Sequence, residues 1–296
     1  MSAKVLVVGS INVDLTIKVA HLPAPGETIH GSEPQFLPGG KGGNQAVSVA
    51  ASGAEVIIIG AVGEDDHGAA ALASLKQQNV DTQGVDVKNS ATGTAFIFIE
   101  SSGENLIVVT GGANSLVTPQ DVETKIKVLG GENPVVLCQM ELPLESVERA
   151  AQVAEEVDGR FILNLAPAAK ISDYLLGQCN PLIVNETEAT FLTGQRIASI
   201  EDALKSVQEL AGLTRSAVIT LGADGAVWSE GQSAQHKPSE KVQVVDTTGA
   251  GDAFVGALAA AFSQGLDLAR AVAAGLTAGA KTVQHFGAQP PKSQVG

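Results

Sequence analysis

The amino-acid sequence predicts an α/β fold with three layers, in which helices cover both faces of a mostly parallel sheet. Short apolar runs rich in β-branched residues recur along the chain, and helical stretches separate most of them. Runs that are apolar throughout are typical of strands buried on both faces by crossover helices. Two segments break this alternation and predict a small antiparallel β-sheet that could act as a lid.

The strands and helices around the main sheet follow from this pattern in chain order. Strands are predicted at residues 5–8, 56–59, 135–137, 161–165, 182–184 and 217–221. Helices are predicted at residues 44–52, 68–78, 119–129, 144–156, 200–213 and 253–264. Ligands of such sheets bind at the carboxyl ends of the strands, so polar motifs at those positions are the candidates for function.

The lid is predicted from residues 13–37 and 92–109, which have no helix between their strands. The first segment contains the run LTIKV and then a stretch rich in Pro and Gly. The second reads as strands 94–100 and 105–109 joined by Ser-Ser-Gly, which is typical of a hairpin. A sheet with so little to pack against could cover a ligand, form a dimer surface, or do both. The main domain then comprises residues 1–12, 38–91 and 110–296.

The composition of the 296-residue chain favours a cytoplasmic protein with a core of small aliphatic side chains. Hydrophobic residues make up 44% of the sequence and aromatic residues only 3%. The net charge of −14 argues against nucleic acid as a partner, since phosphate backbones need basic surfaces. The sequence shows no apolar run long enough to span a membrane and no hydrophobic signal region. Cys138 and Cys179 lack metal-like spacing and are expected to be buried free thiols.

The stretch DTTGAGDAF, residues 246–254, combines two carboxylates with small residues at the start of a predicted helix. Residues 249–251 would place N–H groups without helical partners at that N-terminus, where anions bind. Asp252 would lie in the first turn, and a carboxylate base beside an anion site suits transfer of a phosphoryl group to a hydroxyl. Alternatively, Asp252 caps the helix and the glycines form a turn. Asp246 and Thr248 could equally offer oxygens to a hard cation.

Two further motifs lie near the first predicted strand and helix. In PGGKGGNQ, residues 38–45, the glycines allow a ligand to approach the backbone, and Asn44 offers hydroxyls a donor and an acceptor. In GSINVD, residues 9–14, Asp14 could accept hydrogen bonds from two sugar hydroxyls. The simpler alternatives are that Asn44 caps a helix and that Asp14 opens a turn.

Acidic residues also follow two later strands. In NETE, residues 185–188, the acids could hold a hydrated Mg²⁺, or Asn185 could simply cap a helix. Glu141 follows the strand predicted at 135–137. The sequence contains neither the P-loop motif GxxxxGK[ST] nor GxGxxG after its first strand. These absences disfavour P-loop NTPases and dinucleotide-binding dehydrogenases.

In this order, GSINVD, GGKGGNQAV, NETE and DTTGAGD resemble the ribokinase family of ATP-dependent carbohydrate kinases across essentially the whole chain. The lid segments are similar to that family's small β-sheet, which often forms a dimer clasp. The resemblance implies ATP and Mg²⁺ as cofactors, a sugar as substrate and a homodimer through the lid. It also implies transfer of the γ-phosphoryl group of ATP to the primary hydroxyl of a pentose, with D-ribose giving ribose 5-phosphate.

The resemblance implies roles for individual residues. Asp252 would be the general base for the sugar hydroxyl, and the anion hole for the phosphoryl group would be formed by Gly249, Ala250 and Gly251. The positions that match sugar contacts are Asp14, Gly40, Lys41, Asn44 and Glu141, together with Phe96 and Val109 on the apolar side of the lid. The positions that match nucleotide contacts are Asn185, Thr220, Gly222 and Gly225. Glu188 completes an NxxE motif that positions Mg²⁺, largely through water.

A potassium site is implied near the end of the chain. Its positions are Asp246 and Thr248, together with backbone oxygens of Thr282, His285 and Gly287. Where family members often carry Ser after GAQP, this chain has Pro291, which offers no hydroxyl to the ion. This departure affects potassium activation rather than phosphoryl transfer. Residues 289–296 are expected to form a loose tail.

Two alternatives stay open. A related kinase of the same family would act on deoxyribose, a ketohexose or a nucleoside, and the apolar residues of the lid would set that choice. A protein of a different class would bind a sugar as a regulator without catalysis. The sequence contains no helix-turn-helix extension and no basic patch that would support this second alternative.

Overall fold

The computed structural model describes residues 3–102, 104–231 and 233–289 and confirms the α/β fold. Its strands are β1 Val5–Val8, β2 Asn12–Val19, β3 Gln35–Gly39, β4 Val56–Gly63, β5 Asp81–Lys88, β6 Gly93–Glu100, β7 Asn105–Thr110, β8 Val135–Cys138, β9 Arg160–Asn164, β10 Leu182–Asn185, β11 Ala217–Thr220, β12 Ala226–Ser229 and β13 Gln235–Lys237. Its helices are α1 Lys41–Ala51, α2 Asp66–Gln77, α3 Pro119–Leu129, α4 Leu144–Glu156, α5 Asp173–Gln178, α6 Glu186–Thr193, α7 Ile200–Ala211, α8 Ala250–Ser263 and α9 Leu268–Thr282. Short 3-10 turns lie at Gly112–Leu116 and Gly222–Asp224.

Within the described residues, the main sheet has nine strands in the order β13-β12-β11-β10-β9-β8-β1-β4-β5. The strands from β11 to β5 run parallel, and β12 and β13 extend the sheet with antiparallel pairs. In the centre, Val5 of β1 pairs with Val56 on one side and with Val135 on the other. The carboxyl ends of the parallel strands therefore meet at one edge of the sheet.

Helices cover both faces of the sheet because successive strand side chains point to different core clusters. Leu6 and Val8 of β1 pack with side chains of α3, α4 and α7. Val5 and Val7 pack with side chains of α1, α2, α8 and α9. Each predicted strand and helix of the main sheet is present, with ends that differ by a few residues.

The sequence pattern missed several elements, among them β5 and α9. β5 lies at the edge of the sheet, and its sequence DTQGVDVK mixes polar and apolar residues instead of forming an apolar run. α9 contains Gly275, which weakens a helix signal but is required here, since a Cβ would lie 2.7 Å from the ring of Phe254 in α8. In the described part of the chain α9 is the longest helix, with 15 residues, and no helix is long and apolar enough to cross a membrane.

The predicted second sheet is present, with the strand order β3-β2-β6-β7 among the described residues. The β2–β3 and β6–β7 pairs are antiparallel as predicted, whereas the central β2–β6 pair is parallel. The connection explains the difference, because α1, β4, α2 and β5 intervene and the chain re-enters the second sheet in the same direction. Asn12 pairs with Gly39 and with Gly93, and Thr94 pairs with Thr110. The junctions with the main sheet therefore lie in one row.

The two cysteines are buried free thiols, as expected. Cys138 and Cys179 belong to the same core cluster on one face of the main sheet. Burial raises the pKa of both thiols, so they remain protonated. They act as small apolar side chains of the core.

Candidate active site

The loop after β1 and the start of α1 meet the loop after β8 at the carboxyl edge of the main sheet. Ser10 Oγ donates to Glu141 Oε2 at 2.5 Å, and Lys41 N donates to the same oxygen at 3.1 Å. Gly42 N donates to Ser10 Oγ at 3.3 Å. Lys41 and Glu141, which are 100 residues apart in the sequence, are thus neighbours.

The glycines of the GGKGG run are required by the close approach of α1 to β1. A Cβ on Gly42 would lie 2.5 Å from the carbonyl carbon of Gly9. Gly40, with φ 84°, precedes the first residue of α1. Asn44 therefore lies inside α1, and the alternative that it caps the helix is wrong.

Asp252 lies in the first turn of α8 and faces α1. Its Oδ2 accepts from Asn44 Nδ2 at 3.1 Å, and its Oδ1 accepts from Gln45 Nε2 at 2.9 Å. Gly249 is the N-cap of α8, with φ 76° and no capping side chain among the described residues. The alternative that Asp252 is only a helix cap is wrong, since both of its oxygens bind side chains of α1.

Opposing effects set the ionisation of Asp252. Burial raises its pKa above the usual value, and the charge of Glu141 adds to this effect. The positive charge of Lys41 and the hydrogen bonds from Gln45 and Asn44 act in the other direction. A buried carboxylate with a raised pKa has the properties of a general base.

A cavity of about 160 Å³ lies between the start of α8 and the start of α6. The predicted residues that line it are Lys41, Asn185, Glu188, Thr220, Gly249, Gly251 and Asp252. Among the residues proposed for the anion hole, Ala250 donates its N–H to Thr247 O in a long hydrogen bond of 3.3 Å. The walls of the cavity contain a helix N-terminus, a lysine and two carboxylates, and of these the helix N-terminus and the lysine favour an anion.

The NETE motif folds into a capping box at the start of α6. Asn185 Oδ1 accepts from Glu188 N at 2.8 Å, and Glu188 Oε2 accepts from Asn185 N at 2.8 Å. The helix-cap interpretation is therefore confirmed, although both residues also line the small cavity. Burial raises the pKa of Glu188, against the Asn185 hydrogen bond and the charge of Lys41.

A larger cavity of about 710 Å³ adjoins the small one, and Thr220 and Gly251 line both. Gly222 and Gly225, at the ends of the 3-10 turn after β11, form one wall. The other walls include apolar side chains of the 242–244 loop, α8 and α9, namely Val242, Val244, Phe254 and Leu276. A mostly apolar cleft of this volume is typical of sites for nucleotide-sized ligands.

Asp14 lies within β2, so the alternative that it opens a turn is wrong. Burial raises the pKa of Asp14 to about 6, with the charges of Glu141 and Asp252 adding to the effect and that of Lys41 opposing it. A Cβ on Gly39 would overlap the Asp14 carboxylate. The charge of Lys41 therefore acts on three carboxylates of the site, Asp14, Glu188 and Asp252.

The lid places Val109, but not Phe96, on the side of Asp14. Asp14 pairs with Ala95, and Ala95 pairs with Val109, so these side chains share one face. Phe96 pairs with Val108 and lies on the opposite face. The prediction for Phe96 is wrong by one residue, because side chains alternate along a strand and Ala95 takes the inward place.

Asp246 joins the loop before α8 to the segment after α9. Its Oδ1 accepts from Thr248 N at 2.9 Å and from Thr248 Oγ at 2.7 Å, and its Oδ2 accepts from Gly287 N at 2.9 Å. Burial alone would raise the pKa of Asp246, but these hydrogen bonds hold it below the usual value. His285 N donates to Thr282 O at 3.1 Å. The residues predicted to bind potassium thus lie in two adjoining segments.

The segment after α9 packs against the start of α8. A Cβ on Gly249 would lie 2.5 Å from Ala288 Cα. Gln289 Nε2 donates to Asn44 Oδ1 at 2.9 Å, so this first residue of the predicted tail is not loose. The rest of that tail, including Pro291, lies outside the described residues.

The prediction missed three polar residues at the site, namely Ser10, Gln45 and Asn164. Gln45 is fully buried, and its Nε2 donates both to Asp252 and to Asn164 Oδ1 at 2.9 Å. Ser10 and Gln45 lie inside the motifs that the sequence singled out. Asn164 is a polar residue at the carboxyl end of a predicted strand, which is a signal that could have identified it.

Comparison with known proteins finds similarity to carbohydrate kinases over most of the chain. The model of the pfkB family of carbohydrate kinases matches residues 2–294. The chain is 38% identical over 292 residues to the ribokinase of Haemophilus influenzae, covering 98% of this chain and 95% of that protein. It is 39% identical over 266 residues to the ribokinase of Mus musculus, covering 87% and 81%. The structure of Arabidopsis thaliana ribokinase complexed with ribose and ATP matches with a TM-score of 0.88 and 30% identity, covering 100% of this chain and 98% of that chain.

Proposed function

Because this chain belongs to the pfkB family of carbohydrate kinases, we propose that it transfers the γ-phosphoryl group of ATP to the primary hydroxyl of D-ribose. The products are ribose 5-phosphate and ADP. The observation that carries the proposal is the Asp252 carboxylate, which two amides hold at a helix N-terminus beside a cavity that Lys41 also lines. Relatives that are named ribokinases support ribose and ATP as the substrates. Membership of a kinase family weighs against a sugar-binding regulator without catalysis.

In the proposed reaction, Asp252 accepts the proton of the primary hydroxyl while that oxygen attacks the γ-phosphorus of ATP. The new O–P bond forms as the bond from the γ-phosphorus to the bridging oxygen breaks, and ADP leaves with the electron pair. The N–H groups of residues 249–251 and the charge of Lys41 stabilise the phosphoryl group in transit. Positioning and electrostatic stabilisation of this kind supply most of the catalysis in phosphoryl transfer.

We place the nucleoside part of ATP in the larger cavity, with the phosphates directed toward the smaller one. Thr220, Gly222 and Gly225 would contact the nucleotide, and Phe254 and Leu276 offer apolar surface to the base. The γ-phosphate would reach Asp252 past Gly251, which lines both cavities. A kinase that consumes ATP in this way would work in the cytoplasm, where ATP is supplied.

We propose that Mg²⁺ binds at the NETE motif together with the phosphates of ATP. Over residues 3–102, 104–231 and 233–289, no cluster of three His, Cys, Asp or Glu side chains could hold a metal by itself. Glu188, on the wall of the small cavity, offers a carboxylate to a hydrated ion, which is how Mg²⁺ is usually held at nucleotide sites. When bound, the ion would neutralise negative charge on the phosphates.

We expect Glu188→Gln to raise the Mg²⁺ concentration needed for half-maximal activity by about tenfold. Gln preserves the capping box with Asn185 but removes the charge, so the start of α6 should stay intact. ADP release at increasing Mg²⁺ measures the effect, and thermal unfolding controls for the helix. An unchanged Mg²⁺ response would limit Glu188 to its capping role.

We place the sugar between the lid and α1. Asp14, Asn44 and Glu141 would bind its hydroxyls, and the backbone of Gly40 and Lys41 would border it. Closure of the lid over the sugar would exclude water and so limit hydrolysis of ATP.

We expect ribose binding to weaken as the pH falls through about 6, where Asp14 takes up a proton. The ionised carboxylate accepts hydrogen bonds from hydroxyls on both oxygens, and protonation removes part of that capacity. Because the pKa is raised, the charged form is lost already below about pH 6. Calorimetric titration with ribose across this range measures the effect. Asp14→Asn should bind weakly throughout, and a transition that survives in this variant would belong to another group.

We also propose a potassium site at Asp246, Thr248 and the backbone oxygens of Thr282, His285 and Gly287. Asp246 and Gly287 are joined by a hydrogen bond, which brings the two segments within reach of one ion. Pro291 replaces the Ser that other family members often have, so we expect only a weak effect of K⁺ on turnover.

We propose that two chains pair through their lids. The lid exposes apolar side chains on both faces, with Phe36 and Val108 on one face and Ile107 and Val109 on the other, each more than 50% exposed. Exposed apolar patches of this kind mark interaction surfaces. Sedimentation should give twice the mass of one chain, and Val108→Lys should give single chains. A wild-type protein of single-chain mass would contradict the pairing.

ADP release with ATP and Mg²⁺ across a panel of sugars tests the proposed function. The panel holds ribose, deoxyribose, fructose, fructose 6-phosphate and adenosine, each with and without K⁺. Preference for ribose is the expected result, whereas another preferred substrate would keep the mechanism and reject ribose. Titration with adenosine against ribose separates a nucleoside kinase, which needs a wider pocket. A lack of ADP release with every substrate would count against the reaction itself.

A further inference from the structure

A chain of three buried amide side chains lies behind Asp252. Gln139 Nε2 donates to Gln45 Oε1 at 2.7 Å, and Gln45 Nε2 donates to both Asp252 Oδ1 and Asn164 Oδ1 at 2.9 Å. Gln139 and Gln45 have no exposed surface, and Asn164 is 8% exposed. The three residues come from the end of β8, from α1 and from the end of β9, so the chain spans the carboxyl edge of the main sheet.

The direction of this chain is set by groups that can only accept hydrogen bonds. Asn164 Nδ2 donates to Ile183 O at 3.3 Å, which turns Asn164 Oδ1 toward Gln45. The Asp252 carboxylate likewise requires a donor from Gln45. The NH₂ group of Gln45 donates to both Asp252 and Asn164. Its Oε1 therefore lies on the opposite side of the amide and requires a separate donor.

Gln139 supplies that donor and leaves its own oxygen without a partner. Its Oε1 is buried and has no hydrogen-bond partner among the residues that the structure describes. A buried amide oxygen without a donor is unfavourable, and native proteins usually avoid it. The Gln139 amide is thus oriented with its NH₂ group toward Gln45 Oε1, as Gln45 requires, and its own oxygen is left without a donor.

We infer that Gln139 is a positioning residue for phosphoryl transfer, because its hydrogen bond to Gln45 Oε1 reinforces the orientation of the Gln45 amide that Asp252 and Asn164 already favour. If the Gln45 amide turned over, its oxygen would face the Asp252 carboxylate and Asn164 Oδ1, and three oxygens would oppose one another. Gln139 does not touch the substrates and acts through Gln45. This inference rests on the proposed role of Asp252 as the base.

Gln139→Met tests the inference, since it keeps the length of the side chain and removes the donor. We expect kcat to fall about tenfold, with little change in KM for ribose or ATP. The acidic limb of the kcat profile should move to higher pH, because a Gln45 amide that is held less firmly donates less strongly to the Asp252 carboxylate. Thermal stability should change little, since one buried oxygen without a partner is exchanged for another.

A double variant distinguishes an action through Gln45 from a general effect on packing. If Gln139 acts only through Gln45, then Gln45→Met with Gln139→Met should be no slower than Gln45→Met alone. Gln139→Glu is a second variant, in which an ionised acceptor would draw the NH₂ group of Gln45 away from Asp252. Its kcat should fall at least as far as that of Gln139→Met. Ser146→Ala, which removes a buried hydrogen bond to Val117 O, should leave the pH profile unchanged.

The inference would be overturned if the losses in kcat of the two single Met variants added in the double variant. It would also be overturned if both Gln139 variants kept the wild-type pH profile. Asp252→Asn, measured in parallel, shows whether the positioning role of Gln139 has failed or the proposed function itself. An inactive Asp252→Asn beside fully active Gln139 variants would reject only the positioning role. An active Asp252→Asn would reject the base, and the positioning role with it.

Discussion

Asp252→Asn is expected to lower kcat by about 10²–10⁴-fold while ribose and ATP still bind. Asn has the shape of Asp but cannot accept the proton of the primary hydroxyl at neutral pH. Asn44 and Gln45 donate to different oxygens of the carboxylate, so only one of them can still bind the single carbonyl oxygen of the Asn side chain. Single-turnover measurements with ribose and ATP would report the rate of transfer, and calorimetry would report the two affinities.

The matched control is Asp267→Asn, at the start of α9. The Asp267 side chain caps that helix, and Asn caps helices equally well, so both stability and turnover should be unchanged. Normal turnover of Asp252→Asn would remove Asp252 from the role of base. Loss of ribose binding with an unchanged rate of transfer would make it a binding residue only.

Gly249→Ala is expected to lower kcat by about 10²–10³-fold, the usual cost of losing a donor to a developing anion. Its φ of 76° is unfavourable for Ala, and the new Cβ would lie 2.5 Å from Ala288 Cα. Two backbone segments would have to move apart, and the N–H groups of residues 249–251 would move with one of them. Steady-state kinetics and thermal unfolding together measure the effect.

Gly265→Ala separates backbone strain from this steric clash. Gly265 has φ 80°, and a Cβ there would meet no atom within 4 Å in the described part of the protein. It follows α8 at the far end from Asp252, so Ala should cost roughly 1–2 kcal/mol of stability and leave kcat unchanged. Similar kinetic losses in both variants would show that strain alone, and not the position of the N–H groups, slows the reaction.

The fold was predictable because the sheet is buried on both faces. Strands such as β1 must then be apolar throughout, and the helices that cover them keep an apolar side. The parallel pairing of β2 with β6 was not predictable from local pattern, since it depends on the path of the chain between them. Phe96 was misplaced for a related reason, because strand register is fixed by neighbouring strands and not by the strand itself.

The glycines and charged residues of the candidate site were predictable, as was Asn44, whereas the buried amides Gln45, Gln139 and Asn164 were not predicted. Asp252 and Glu188 stand out because an acid at the start of a helix suggests chemistry. Gln139 and Gln45 carry no charge, and they meet across 94 residues of sequence. No local sequence pattern predicts such a pair, because its role depends on a hydrogen bond between distant residues.

The chain passes between the lid and the main domain along a single row at one end of the lid, so the lid can rotate about that row as a rigid body. Strand β2 extends from Asn12 to Val19, so its far end lies roughly 23 Å from the row. A rotation of about 20° at the row would carry that end through roughly 8 Å without breaking any hydrogen bond between the strands. We expect the opening and closing of the lid to be governed by torsions at a few hinge residues, Asn12 and Gly93 among them, and not by the strength of the sheet.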